Sequence, residues 1–406
     1  MAVLFSPIKG SGFDSDEGGI KTEGCCFCQT WSTLKEQMEN MTDKSNTLVA
    51  VAMSGGIDSS VAAVMLKLEG YNVIGLTMKL WDFAVVGGED KQVSRRCCSL
   101  EMFEDARSVC FKYGIPHYVL NMHKDFHDTV INDFVSEYVQ GRTPNPCVVC
   151  NYKIKWELLE NKVKQLGCDY LATGHYARIE FDETNQRYQI LKGVDLTRDQ
   201  SYFLWGLKQE SLARTLFPLG DLHKMQVREL GREYGLINAE REESREICFV
   251  PDNNYARLVE KKHPELAKPG NIRDTEGNVV GTHDGYFHYT IGQRKRIQIN
   301  TTEKKFVTQI DAANNEIVIG DDADLLVQTF AVKEVNWVAQ TPPETDAELS
   351  ALVRIRYLHK PVPGSVRVLT NGNVEVKLHD KQRAVTPGQS CVFYDGDIVL
   401  GGGKIA

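Results

Sequence analysis

Short apolar runs alternate with longer stretches of helical apolar spacing between residues 46 and 175. NTLVAVAM, residues 46–53, is an apolar run, and SSVAAVMLKLEG, residues 59–70, has the spacing of a helix that ends at Gly70. The pattern continues with predicted strands at 72–80, 117–122 and 168–175 and predicted helices at 99–113, 125–140 and 153–166. This alternation is typical of the α/β class, and it predicts a doubly wound parallel sheet with helices on both faces.

The pattern changes after about residue 208. KQESLARTLF, residues 208–217, and MQVRELGREYG, residues 225–235, are predicted as helices, and a turn-rich stretch follows through residue 285. After about residue 319 the chain consists of short alternating runs separated by Asn-Gly and Asp-Gly turns. Such runs predict a small antiparallel β-barrel at the C-terminal end.

Composition and charge narrow the functional class. A chain of 406 residues suits two or three domains, and no apolar run is long enough to span a membrane. Because it also lacks a secretory signal, and its eleven cysteines indicate a reducing compartment, we expect a cytoplasmic protein without a membrane partner. The formal charge is -8, yet residues 286–310 carry five Lys/Arg against one acid and residues 351–390 carry seven against two. Clustered basic residues leave room for a polyanionic partner.

SGGIDSS, residues 54–60, lies where a doubly wound sheet binds ligands, between the first strand and the first helix. Its glycines and the helix N-terminus suit a phosphate or pyrophosphate, although a capped helix with a glycine turn is the simpler alternative. The loop lacks the Lys-Ser/Thr of a P-loop and the third glycine of a dinucleotide fingerprint. Asp58 suits Mg²⁺ held between phosphates. The candidate nucleotide-binding residues here are Met53, Ser54, Gly55, Gly56, Ile57, Asp58, Ser59 and Ser60.

The loop resembles the SGGxDS motif of the PP-loop ATP pyrophosphatases, whose domain is like that of the adenine nucleotide alpha hydrolases. The resemblance implies that ATP is split into AMP and pyrophosphate to adenylate a carbonyl oxygen. Argininosuccinate, GMP and NAD synthetases are similar at this loop, so the motif leaves the substrate open.

Six further stretches narrow the resemblance to the tRNA-specific 2-thiouridylases, from about residue 47 to the end. They are RTPNPCVVCN (142–151), TGHYAR (173–178), RDQSYFL (198–204), SREICFV (244–250), YTIGQRK (289–295) and VRIRY (353–357). The resemblance implies a catalytic domain at 47–212, to which 236–255 adds a second catalytic cysteine, a central tRNA-binding domain at 213–318 and a barrel at 319–406. Residues 1–46 are expected to be a loose extension.

The implied reaction converts the C2 oxygen of the wobble uridine to sulfur. ATP adenylates this poor leaving group, and a cysteine persulfide then supplies a soft nucleophile. By resemblance, Cys248 carries the persulfide and Cys150 is its partner nucleophile. The products are 2-thiouridine, AMP and pyrophosphate.

Cys147 departs from the resemblance, because the family commonly has Asp at this position. Cys147, Cys150 and Cys248 are three thiols that could instead hold a 4Fe-4S cluster carrying a hydrosulfide. Spacing alone leaves the cluster and the redox thiol pair open, together with the alternative of idle buried cysteines. For Cys97 and Cys98 we favour packing over chemistry.

The resemblance also implies binding residues and partners. Met78 and Gly174 correspond to ATP contacts, and the tRNA contacts are Asn145, Pro146, Cys147, His175, Arg198, Asp199, Gln200, Arg356, Tyr357 and Gln389. The expected partners are tRNAs for Lys, Glu and Gln, and a cysteine desulfurase or sulfur relay protein as the donor. The enzyme is expected to act as a monomer.

Two other functions fit parts of the sequence. A PP-loop ligase of a small metabolite, of the argininosuccinate or GMP synthetase type, would use the loop but needs no separated thiols. A non-catalytic RNA-binding iron-sulfur protein would use the cysteines, but it leaves the unbroken SGGIDSS loop without a role.

Overall fold

The computed structural model describes residues 44–81, 100–241, 247–250, 252 and 254–406, and residues 45–406 form one compact unit. Nearly all of the predicted extension at 1–46, together with Cys97 and Cys98, lies outside these residues. No helix in the described ranges has both the length and the apolar composition needed to cross a membrane.

A five-stranded parallel sheet forms the first part of the fold, in the order β3-β2-β1-β4-β7. Its strands are β1 (Leu48–Ala52), β2 (Asn72–Lys79), β3 (His117–Asn121), β4 (Tyr170–Thr173) and β7 (Thr215–Leu216). The α-helices among the described residues are α1 (Ile57–Leu68), α2 (Leu100–Lys112), α3 (His123–Phe126), α4 (Asn132–Val139), α5 (Pro146–Val149), α6 (Glu160–Gln165), α7 (Gln209–Leu212), α8 (Lys224–Glu233) and α9 (Ala256–Lys262). Two π-helical segments, His127–Ile131 and Cys150–Leu159, join α3 to α4 and α5 to α6.

Successive residues of β1 face opposite sides of this sheet, as the two-residue period of a strand requires. Val49 and Val51 belong to a buried apolar cluster with Val61 of α1, whereas Ala50 belongs to a second cluster with Phe126 and Phe134. The sheet is therefore covered on both faces, and the predicted doubly wound α/β architecture is confirmed.

The predicted helix at 208–217 is wrong over most of its length. Only Gln209–Leu212 is helical, and Thr215–Leu216 pairs with β4 as an edge strand. The Thr215 hydroxyl accepts a hydrogen bond from Trp156 Nε1 at 2.8 Å, in the buried core. Tertiary packing thus outweighs the local helical pattern.

A hairpin that the sequence analysis does not predict follows β4. Its strands, β5 (Ala177–Asp182) and β6 (Arg187–Lys192), are antiparallel, and Leu191 pairs with Ile398 of the C-terminal barrel. The hairpin therefore joins the first part of the fold to the last.

A small mixed sheet follows, in the order β10-β11-β8-β9. Its strands are β8 (Gly270–Arg273), β9 (Val279–His283), β10 (Phe306–Asp311) and β11 (Glu316–Gly320). The β11–β8 pair is parallel and the other two pairs are antiparallel.

The C-terminal barrel closes as predicted, because β12 pairs with both β15 and β17. Its strands are β12 (Leu326–Trp337), β13 (Glu348–Arg354), β14 (Val362–Val368), β15 (Val374–Arg383), β16 (Ser390–Asp395) and β17 (Ile398–Ile405). Val353, Val366 and Phe393 are fully buried members of its apolar core.

The barrel also contacts the first part of the fold through two polar links. Arg354 Nη1 donates to Asp199 Oδ2 at 2.9 Å; Asp199 is buried, and the Arg354 side chain is 12% exposed. Gln389 Nε2 donates to the carbonyls of Thr143 and Pro144 at 3.2 and 3.0 Å. The barrel thus holds the Pro turn that precedes the Cys-x-x-Cys stretch.

Replacing Arg354 with Met should destabilise the protein strongly, because the Asp199 carboxylate would stay buried without its cation. We expect a loss of about 3–5 kcal/mol in the free energy of unfolding. The exposed barrel pair Arg367–Glu375 provides the control, Arg367→Met, with an expected loss below about 1 kcal/mol. Urea denaturation of the two variants measures both values, and similar losses would contradict the assignment of a stabilising buried link.

Candidate active site

The phosphate loop owes its shape to Gly55 and to its own hydroxyls. Gly55 has φ +79°, and a Cβ there would lie 2.2 Å from the carbonyl oxygen of Met102, so only glycine fits. Ser59 Oγ and Ser60 Oγ both donate to the Gly56 carbonyl, while Ser54 is exposed. Gly56 forms the N-cap of α1, which leaves the helix N-terminus open to an anion.

Asp58 is paired within the protein. Its Oδ1 accepts hydrogen bonds from Lys224 Nζ at 2.6 Å and from Tyr176 OH at 2.7 Å. Lys224 lies on α8 and is almost fully buried. Sequence reasoning missed both partners, since each is more than 100 residues from Asp58.

Asn238 stabilises the phosphate loop through two hydrogen bonds. Its Nδ2 donates to the Gly55 carbonyl at 2.8 Å and to Ser60 Oγ at 3.0 Å, and the side chain is buried. Ser60 therefore has its hydroxyl occupied within the protein. No sequence motif marked Asn238, because it lies in an ordinary turn after α8.

The end of β4 lies directly against the loop. A Cβ on Gly174 would lie 2.8 Å from the carbonyl carbon of Asp58 and from the backbone nitrogen of Ser59. This close approach explains the glycine and places the residues after β4 beside the loop.

A cavity of about 460 Å³ opens between the phosphate loop and the cysteines. Among the predicted site residues, those that line it are Met53, Ser54, Asp58, Ser59, Met78, Pro146, Cys147, Cys150, Gly174, His175, Gln200 and Cys248. The structure therefore brings the three cysteines to one space with the nucleotide loop, although Cys248 is nearly a hundred residues beyond Cys150 in the chain.

The turn at 144–150 presents the first two thiols. Pro146 occupies the first turn of α5, and Asn145 is its N-cap residue. Cys147 and Cys150 are free thiols, so no disulfide joins them. Burial raises the pKa of Cys150 to about 11, and it also raises the pKa of Cys147, while the nearby Lys155 ammonium opposes both shifts.

His175 connects Lys155 to the end of β4. Its Nδ1 lies 2.6 Å from Thr173 Oγ1, and its Nε2 lies 3.4 Å from Lys155 Nζ. Desolvation and the Lys155 charge hold the pKa of His175 well below its usual range, so the imidazole is neutral. Lys155 was also missed from the sequence, because nothing in CNYKIKW distinguishes it from Lys153.

The remaining predicted tRNA contacts lie outside the cavity lining. Asp199 is buried, and its Oδ1 accepts from the backbone N–H of Ser201 at 3.0 Å while its Oδ2 pairs with Arg354. Arg198 is half-buried beside it. On the barrel side, the Tyr357 ring packs 4.5 Å from that of Phe203, which lines the cavity.

Arg356 and Gln389 are also tied into the barrel and its contacts. Arg356 Nη1 donates to the Arg383 carbonyl at 3.4 Å, and Gln389 bonds the Pro turn as described above. Their expected contacts with tRNA stay predictions.

Within the described ranges, no three His, Cys, Asp or Glu side chains are grouped closely enough to hold a metal ion. Cys147, Cys150 and Cys248 share the cavity without forming a coordination set. The arrangement does not fit a 4Fe-4S cluster.

A glycine loop between the first strand and first helix of a doubly wound parallel sheet is the arrangement of the PP-loop fold class. Three domain families match the chain in order: the tRNA methyl transferase HUP domain at 47–252, the tRNA methyl transferase PRC-barrel domain at 259–321 and the aminomethyltransferase beta-barrel domain at 327–405.

Curated relatives match nearly the whole chain. The tRNA-specific 2-thiouridylase MnmA of Geotalea uraniireducens is 50% identical over 88% of this chain and 94% of that protein. Proteins of the same name from Geobacter metallireducens and Clostridioides difficile are each 46% identical, over 90% and 89% of this chain and 98% of their own lengths. The chain belongs to the tRNA-specific 2-thiouridylase family.

Removing the Asn238 amide should weaken nucleotide binding. In Asn238→Ala the buried Gly55 carbonyl and Ser60 hydroxyl lose a donor, at a cost of about 1–3 kcal/mol. We expect the Kd for ATP, measured by titration calorimetry, to rise about tenfold. Asn185→Ala, in the exposed turn of the β5–β6 hairpin, is the control and should leave the Kd unchanged. An unchanged Kd in Asn238→Ala would show that the loop keeps its shape without this support.

The Cys150 thiol should be neutral in the resting protein. With a pKa of about 11, its alkylation by iodoacetamide should rise about tenfold per pH unit through the alkaline range and level off near pH 11. Peptide mapping by mass spectrometry follows this residue alone. The same cysteine in urea-unfolded protein should level off near its ordinary value of about 8.5, and a matching value in the folded protein would contradict burial of the thiol.

Proposed function

We propose that this protein is a tRNA 2-thiouridylase that exchanges the C2 oxygen of the wobble uridine for sulfur. The observation that carries the proposal is the single cavity lined by the phosphate loop at one end and by Cys147, Cys150 and Cys248 at the other. Adenylation of the C2 oxygen requires the phosphate loop, and delivery of sulfur to C2 requires the cysteines. The printed names of the relatives support the same activity.

ATP binds with its β- and γ-phosphates at Ser54–Ser60 and is the adenylating substrate. The C2 oxygen of the uridine attacks the α-phosphorus, the bond to the β-phosphate oxygen breaks, and pyrophosphate leaves. Backbone N–H groups at the start of α1 stabilise the charge that develops on the leaving group. The wobble base must leave its stack to present C2 in the cavity.

Sulfur transfer then uses two thiols. The terminal sulfur of a Cys248 persulfide attacks C2, and the C2–O bond breaks to release AMP. The Cys150 thiolate attacks the inner sulfur of Cys248, breaks the S–S bond and releases 2-thiouridine. A Cys150–Cys248 disulfide results, and an external thiol reductant returns it to two thiols.

Mg²⁺ is the metal in this proposal, and it would neutralise charge on the ATP phosphates. Asp58 is the carboxylate next to those phosphates, and its Oδ2 has no hydrogen bond from any described residue. A 4Fe-4S cluster has no part in the mechanism, because the described cysteines do not form a coordination set.

The partners follow from the reaction. We infer that the substrates are the wobble-uridine tRNAs for Lys, Glu and Gln in the cytoplasm, and that a cysteine desulfurase or relay protein loads Cys248. We infer that the enzyme acts as a monomer. The division at 47–212, 213–318 and 319–406 remains part of the proposal. A metabolite ligase or a non-catalytic RNA-binding protein leaves the convergence of loop and thiols unexplained.

Mass spectrometry of tRNA nucleosides tests the proposal. After incubation with ATP and a sulfur source, wild type and Cys147→Asp should form 2-thiouridine, whereas Cys150→Ser and Cys248→Ser should lose it by at least about 100-fold. Loss in all three variants would favour a three-thiolate site.

Iron and sulfide analysis of anaerobically purified protein separates the two sulfur routes. Iron-free protein should thiolate tRNA, and an activity that tracks the iron content would overturn the persulfide mechanism. Turnover of a metabolite that survives both Ser substitutions would instead indicate a ligase.

A further inference from the structure

Lys155 is the only lysine or arginine among the described residues that line the cavity. Asp58 is the only acid among them, and its Oδ1 is already paired with Lys224 from outside the lining. The cavity therefore has a positive charge at its thiol end that Asp58 does not neutralise. Such a charge suits an anionic group of a ligand.

The backbone places this charge on the same side as Cys150. Lys155 is five residues after Cys150 in the π-helical segment, where hydrogen bonds run from residue i+5 to residue i. The Glu160 N–H donates to the Lys155 carbonyl in this pattern. One turn of a π-helix spans between four and five residues, so Cys150 and Lys155 share a face. In an α-helix, residues five apart would point in different directions.

His175 fixes the direction of the ammonium. Because an ammonium group only donates, His175 Nε2 must accept from Lys155 Nζ, and Nδ1 carries the proton that it donates to Thr173 Oγ1. One N–H of Lys155 is used in this way. No other described residue accepts a hydrogen bond from Lys155 Nζ, which leaves two N–H groups for a ligand in the cavity.

The chemistry of the reaction identifies that ligand, and this step rests on the proposed function. The α-phosphorus of ATP bonds to the same oxygen that sulfur later displaces from C2. It must therefore lie between the loop that binds pyrophosphate and the thiols that deliver sulfur. Lys155 is the cation lining that part of the cavity.

We propose that Lys155 binds the α-phosphate of ATP and stabilises AMP as it leaves the adenylated uridine. When sulfur attacks C2, the electron pair of the breaking C2–O bond stays on the phosphate oxygen, and AMP leaves with the added negative charge. The ammonium opposes this charge without giving up a proton. Lys155 is then a catalytic residue that touches the leaving group.

Nucleotide binding tests this role without tRNA or sulfur. Titration calorimetry of the full chain with AMP and with adenosine isolates the contribution of the phosphate. Wild type should bind AMP more tightly than adenosine, and Lys155→Met should reduce that preference by about 10-fold to 100-fold with adenosine binding unchanged. Lys155→Arg should restore most of the preference, because the charge is kept.

Lys153→Met is the matched control, since Lys153 lies in the same π-helical segment but pairs with exposed Glu157. It should leave both affinities unchanged. An AMP preference in Lys155→Met equal to that of wild type would overturn the proposal, as would a wild type that does not distinguish AMP from adenosine. Equal weakening of both ligands, or failure of Lys155→Arg to restore the preference, would also overturn it by indicating a purely structural residue.

The two proposals fail separately. Suppose that the wild-type protein forms no 2-thiouridine, but that its preference for AMP is lost in Lys155→Met. The proposed function is then wrong, while the proposed contact between Lys155 and the phosphate is supported. If wild type thiolates tRNA and Lys155→Met does so at the same single-turnover rate, the role in AMP departure falls and the function stands.

Discussion

The close approach of β4 to the start of α1 is the constraint on which the cavity depends. Gly174 lies so near the Asp58–Ser59 backbone that no side chain fits between them. The two residues that follow then have fixed neighbours: His175 reaches Lys155, and Tyr176 reaches Asp58. Gln200 holds the same segment, because it exchanges hydrogen bonds with the Tyr176 backbone in both directions. One short connection therefore sets the distance between nucleotide loop and thiols.

Much of this architecture could be predicted from local sequence. The two-residue period of the strands and the glycines of the phosphate loop are signals that extend over only a few residues. They were enough to predict the α/β sheet, the C-terminal barrel and the position of the loop. Grouping the cysteines required the resemblance as well, since no local rule connects Cys150 with Cys248.

The residues that were missed depend on long-range packing. Lys224 and Asn238 contact the loop only because α8 packs beside α1 through Gly231 and Ile57, where a Cβ on the glycine would lie 2.5 Å from Ile57 Cδ1. The β5–β6 hairpin has its partner strand about 200 residues later. The helical pattern at 208–217 was outweighed by a hydrogen bond from Trp156 to Thr215. Each error has the same cause, a contact that sequence spacing does not encode.

The π-helical segment after Cys150 has a consequence for how the sequence tolerates change. If this stretch were an ordinary α-helix, the residue one turn beyond the thiol would be Ile154, which is now fully buried in the core. The type of side chain beside the thiol is therefore decided by backbone register. A one-residue deletion between 152 and 154 would therefore keep Lys155 one turn beyond the thiol if the segment became an α-helix, and would put Trp156 there if the π-helical register were kept.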